Sequence, residues 1–140
     1  MRAARPDGLV KLYVIHRALT LRRDRARLFG VGAYGPLAAV GARAEHVVAF
    51  ARRDGGEAAI VAVPRLSARL TGLDGRWPLG EQIWDDTRLS LGDAGLAGAY
   101  RDRFTGRRFE MVPHDGAPSI TLGALFEILP VALLEREAAA

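Results

Sequence analysis

His46-Val-Val-Ala-Phe-Ala-Arg52 and Glu57-Ala-Ala-Ile-Val-Ala-Val63 flank the turn Asp54-Gly55-Gly56. Two apolar runs of strand length joined by Asp-Gly-Gly are the strongest short-range hairpin signal a chain can carry, because glycine supplies the positive φ that a two-residue loop needs. The segment therefore predicts an antiparallel pair and sets the fold class for what surrounds it.

Toward the C-terminus the same rhythm of short strands and turn residues continues. Tyr100–Phe104 and Arg107–Met111 flank Thr105-Gly106 with charged and apolar residues alternating, the pattern of a half-exposed sheet. Leu37–Val40, Thr87–Leu91 and Val131–Leu134 are further strand candidates, and Leu122–Ile128 reads as a short helix ended by Pro130. Residues 71–86 and 92–99 read as loops. Seven or eight short strands predict a mainly β domain, an antiparallel β-sandwich over residues 31–140.

Toward the N-terminus the period changes. Leu9 to Phe29 contains neither Pro nor Gly, Asp7 is placed to cap the start, and Gly30 stands where a helix-ending glycine belongs, so residues 7–29 predict one long α-helix. Val10, Leu12, Val14, Ile15, Ala18, Leu19 and Leu21 spread over an arc of roughly 200°, twice the stripe of about 100° that a helix lying on one sheet requires. Such a helix is built to be covered from two sides.

Length and composition bound the rest. A chain of 140 residues suffices for one domain and falls short of the roughly 250 of a catalytic (β/α)₈ barrel. With no cysteine there are no disulfides, thiolate metal ligands or cysteine nucleophiles. No signal-peptide core or membrane-length apolar run is present, which predicts a cytoplasmic protein that does not enter a membrane. Net charge is +4, but residues 1–53 hold 11 basic and 3 acidic side chains while residues 54–140 hold 9 and 13. Nineteen of the 20 basic residues are Arg, beside 24 Ala, which is a compositional habit rather than a selected phosphate-binding surface, and no nucleic-acid partner is predicted. Arg22, Arg23, Arg25 and Arg27 sit where they complement a helix dipole.

Few residues group into chemistry. Gly30-Val-Gly32-Ala-Tyr-Gly35 has the spacing of a dinucleotide fingerprint, but the helix precedes it and a strand follows, the reverse of what pyrophosphate binding requires, so no cofactor is predicted. His16, His46 and His114 lack metal-ligand spacing, and no metal is predicted. Adjacent Asp85 and Asp86 would point to opposite faces of a strand. Trp77 and Trp84, on either side of Gly80, are candidates for stacking on a sugar ring. No catalytic residue is assigned.

The text of the chain resembles one junction in the α-amylase clan, glycoside hydrolase family 13, where the last barrel helix meets the C-terminal β-domain. Within the clan it is most similar to the malto-oligosyltrehalose synthase family, whose C-terminal region reads KLY-x-IHR-x-L-x-LRR, A-x-HVVAFAR, V-x-VPRL, DTRL, Y-x-D-x-FTG and PVALL. These stand here as Lys11–Arg23, Ala44–Arg52, Val61–Leu66, Asp86–Leu89, Tyr100–Gly106 and Pro130–Leu134, in the family's order. The resemblance implies trehalose biosynthesis: an isomerase that turns the reducing-end α-1,4 linkage of a malto-oligosaccharide into an α,α-1,1 linkage by intramolecular transglycosylation. Its aspartate nucleophile, glutamate acid/base and third aspartate lie in the barrel, and no position here matches them. The resemblance thus implies that residues 1–30 are the last helix of a barrel outside this sequence, and that residues 31–140 are an accessory domain, inactive alone. Val10, Leu12, Val14, Ile15, Leu19 and Leu21 are the expected barrel-docking face, in cis or in trans. A stand-alone α-glucan-binding module, a split subunit docking on a separate barrel, and self-association through the exposed helix are the alternatives.

Overall fold

The computed structural model describes residues 7–72 and 75–138. Helix α1 (Asp7–Asp24) leads through a break at Arg25 into the short α2 (Ala26–Gly30). The strands follow: β1 (Ala33–Val40), β2 (Val47–Asp54), β3 (Glu57–Pro64), β4 (Arg88–Ser90), β5 (Gly98–Asp102), β6 (Arg108–His114), β7 (Ala117–Thr121) and β8 (Ala132–Arg136). Among the described residues three further α-helical turns, α3 (Ser67–Thr71), α4 (Glu81–Trp84) and α5 (Leu122–Leu125), and two 3₁₀ turns, Ala44–His46 and Ala94–Leu96, lie between them.

The hairpin β2–β3 forms as its sequence predicts, with Asp54 opposite Glu57 and Gly55 at φ +60°. The sandwich does not form. All neighbouring strands pair antiparallel and close in the order β1-β2-β3-β8-β5-β6-β7-β4. Two bending strands cause the closure. β1 pairs β2 through Ala33–Leu37 and then β4 through Ala38–Val40. β6 pairs β5 through Arg108–Met111 and then β7 through Val112–His114. A strand that changes partner along its length turns the corner between two sheets, so no edge is left unpaired and the structure is a barrel.

Alternate residues of β2 and β3, Ala49, Ala51, Ala58, Ile60 and Ala62, point into the barrel with Tyr100, Phe109 and Leu134. Trp84 and Phe126 pack there too, ring centroids 5.2 Å apart. The unalternating runs of β3 and β8 have a separate cause: both faces are covered. Val61 and Leu133, which are register partners, face outward under α1, where Leu21 and Phe104 complete a second small core with Val14, Ala18 and Phe29.

The helix reading needs two corrections. It breaks at Arg25 (φ −122°, ψ 47°), whose guanidinium pairs with Glu135 at 2.9 Å and Glu57 at 3.1 Å. Gly30 is not a left-handed stop but the last residue of α2. The glycine that matters is Gly32, where a Cβ would collide with the Leu28 carbonyl oxygen and lie 2.8 Å from that of Arg53. Arg22 and Arg23 stand in the last turn of α1 and Arg27 in that of α2, as a helix dipole favours; Arg27 also reaches Asp54 at 2.8 Å, and Arg52 of β2 donates to the Phe29 carbonyl at 2.6 Å. The side chain of Asp7 lies outside the described residues. The loop readings also yield: residues 71–86 hold α4 and the end of α3, and residues 92–99 hold a 3₁₀ turn at Ala94–Leu96 and the start of β5.

Candidate docking face and groove

Helix α1 is held to the barrel along a ridge of every fourth residue, the spacing that stacks side chains on one helix face. The Tyr13 hydroxyl donates to the Phe104 carbonyl at 2.5 Å and Arg17 Nε donates to the Arg103 carbonyl at 2.8 Å. Leu21 is 1% exposed between Phe104 and Leu133, and Arg25 closes the row on Glu135. Both carbonyls belong to the β5–β6 turn.

The six residues expected to form one docking face divide between two. Leu21 and Val14 pack against this domain's own β-surface, and Val10 lines a groove beside it. Leu12, Ile15 and Leu19 point away and are 63%, 54% and 56% exposed, with Leu9 extending the same stripe. At 100° per residue the inward and outward sets lie on opposite sides of Lys11 and Arg22. The over-wide arc is therefore half covered by the chain itself and half open.

A groove of about 350 Å³ runs along the inward edge of the stripe, lined by Val10, Lys11, Val14, Ile15, Trp77, Leu129, Pro130 and Val131. A second hollow of about 490 Å³ shares Trp77, Pro130 and Val131 and continues past Ser67, Thr71 and Arg76. Ile15 belongs to both the groove and the open stripe, so the two surfaces adjoin there, beside Lys11.

The two tryptophans do not form a joint site. Trp84 is completely buried, its indole Nε1 donating to the Pro78 carbonyl at 2.8 Å, and it offers no ring face to a sugar. Trp77 is 37% exposed in the groove. Toward α1 the wall around it is aliphatic apart from Lys11, and the adjoining hollow adds Ser67, Thr71 and Arg76, with no carboxylate lining either among the described residues.

The other candidates separate as well. His16 is exposed on α1, His46 is buried with Nδ1 3.2 Å from the Arg65 carbonyl, and His114 sits beside Asp115 at the β6–β7 turn. Among the described residues no three His, Asp or Glu side chains gather as a metal site would require. Asp86 accepts from the Ala42 amide at 3.2 Å, and Asp85 adopts φ +54° at the end of α4, so both serve turns. The glycines of residues 30–35 span a helix end, a bend and the first residues of β1. No helix among the described residues is long and apolar enough to cross a membrane.

Asp102 is a buried ionisable group that the sequence reading does not single out. It is 2% exposed at the end of β5, accepting from the Phe104 amide at 3.0 Å, the Thr105 hydroxyl at 2.8 Å and the Leu133 amide at 3.4 Å. Its signal was available in Asp102-Arg-Phe-Thr105-Gly106, an Asx-type turn sequence. Burial raises its carboxyl above the ordinary value, against the pull of these hydrogen bonds and of Arg107. Its share of stability is thus fully present below the ordinary carboxylate value and is lost as pH rises through the raised folded value. Glu137 has the opposite sign. Its hydrogen bond from Arg108 at 2.9 Å lowers it, so its share is lost as pH falls through the depressed value. A carboxyl-carbon NMR titration should find Asp102 protonating above, and Glu137 below, their free-peptide values.

No protein-family model matches the chain. Over 127 residues it is 40% identical to a protein named maltooligosyl trehalose synthase in two strains of Mycobacterium tuberculosis, a match covering 91% of this chain and 14% of that protein. Among solved structures, a point mutant of maltooligosyltrehalose synthase from Arthrobacter ramosus matches with a TM-score of 0.64 at 38% identity, covering 91% of this chain and 14% of that one. The chain spans 14% of the length of the relatives it matches.

Proposed function

We propose that this chain, homologous to the C-terminal region of maltooligosyltrehalose synthases, is the accessory domain of such an enzyme, docking through α1 onto a catalytic (β/α)₈ barrel. The observation that carries the reading is the division of α1. Its inner half is pinned to the β-barrel by Tyr13, Arg17 and Leu21, and its outer half leaves Leu12, Ile15 and Leu19 in solvent. An apolar stripe fixed so firmly in that orientation costs solubility unless another body covers it. In this reading α1 and α2 contribute the last helical segment of the catalytic barrel, and the β-domain that follows buttresses it. The groove at Trp77 receives apolar side chains of the same partner. The isomerisation of a malto-oligosaccharide's reducing-end α-1,4 linkage to α,α-1,1 is then carried by the partner's carboxylates, in the cytoplasm, with this chain holding the barrel's final helix in place.

The test is an assay for non-reducing sugar formed from maltohexaose. The 140 residues alone are expected to give none, and clear turnover would overturn the assignment. Titration calorimetry with malto-oligosaccharides is likewise expected to show no heat. Binding at millimolar affinity or better that disappears in Trp77→Ala would replace the buttress with an α-glucan-binding module.

A further inference from the structure

The β5–β6 turn has more internal order than a connection of its length needs. Asp102 is buried within it with three donors on its carboxylate, and the backbone adds the Gly106 amide to the Asp102 carbonyl and the Arg103 amide to the Leu133 carbonyl, each at 2.8 Å. The carbonyls of Arg103 and Phe104 are the ones that Arg17 and Tyr13 grip, and the Phe104 ring is the wall against which Leu21 packs.

We propose that Asp102 is a positioning residue: it shapes the Arg103–Phe104 seat on which α1 rests, and through that seat it sets the angle at which Leu12, Ile15 and Leu19 are presented. A carboxylate buried at some cost in desolvation is retained here because one oxygen joins β8 to the turn and the other joins the turn to itself. Without it the carbonyls lose their common direction, and α1 loses two hydrogen bonds and one wall of its small core together. The consequence for docking rests on the function proposed above. The seat itself does not, because every contact in it lies within this chain.

Hydrogen exchange on the full chain tests it, since local opening of α1 and global unfolding have separate signatures. In Asp102→Ala the α1 amides are expected to exchange about tenfold faster or more, while those of β2 and β3 stay within about twofold of wild type. Unchanged α1 protection, or equal acceleration in α1 and the β2–β3 hairpin, would overturn the proposal. If Asp102→Ala does not fold, Thr105→Val decides by removing one of the three donors: selective acceleration of α1 supports the seat, and none refutes it. Because no partner is present, failure here leaves the accessory-domain reading standing, and failure of that reading leaves the seat intact.

Discussion

Replacing Trp84 with alanine is expected to cost about 3–5 kcal/mol, the range for emptying a buried aromatic site. Domains of this size are stable by roughly 5–15 kcal/mol, so the variant should unfold at a much lower urea concentration or fail to accumulate. The size of the effect follows from position. The Trp84 indole lies against Phe126 in the barrel interior, with no solvent exposure, and its N–H is satisfied by the Pro78 carbonyl. Truncation would leave a cavity and an unpaired carbonyl together. Trp77→Ala supplies the comparison. Its ring is 37% exposed at the rim of the groove, and its loss is expected to change stability by about 1 kcal/mol or less. Urea midpoints of the two variants check both values. Equal losses would mean that Trp77 is a closing element of the core, which would remove the groove from the docking surface.

The two tryptophans show where reading the sequence stops. Both flank the same glycine, and nothing in their spacing says which one turns inward. That is decided by α4, whose four residues carry too little periodicity to be seen, and by its packing on α5. The β2–β3 hairpin was legible because its turn chemistry and its strands are contiguous. The barrel was not, because closure depends on strands that meet only in space. β7 was missed altogether: Ala-Pro-Ser-Ile-Thr carries one large apolar residue and a proline, which argues against a strand unless its partner makes no demand on the missing N–H. Here Pro118 faces Pro113 of β6, so neither asks the other for a donor. Without β7 the remaining strands cannot close, and a sandwich is the natural inference. On α1 the 3.6-residue period gave the breadth of the apolar arc correctly. It could not say which half the domain keeps for itself, because that choice rests on Tyr13 and Arg17, polar residues that read as surface until the carbonyls of Arg103 and Phe104 are placed beside them.

That choice is testable with one substitution made at two positions of α1. Leu21→Glu is expected to cost roughly 4 kcal/mol or more, because it removes a buried leucine and places a carboxylate among Phe104, Leu133 and Val61. Arg17 and Arg25 lie one turn to either side but are already committed to the Arg103 carbonyl and to Glu135. Leu19→Glu, two residues earlier, is expected to stay within about 0.5 kcal/mol of wild type, since Leu19 is 56% exposed and glutamate is a good helix former. Its effect appears in association instead. A charge at the C-terminal end of the Leu12–Ile15–Leu19 stripe should suppress concentration-dependent self-association of the isolated chain in light scattering, and it should weaken docking to a catalytic partner without unfolding this domain. Thermal unfolding and light scattering on the same pair of proteins therefore give opposite orders: Leu21→Glu fails the first, Leu19→Glu alters the second. If Leu19→Glu instead unfolds the chain as Leu21→Glu does, the outer stripe belongs to this domain's own core, and α1 has no face left with which to hold a barrel.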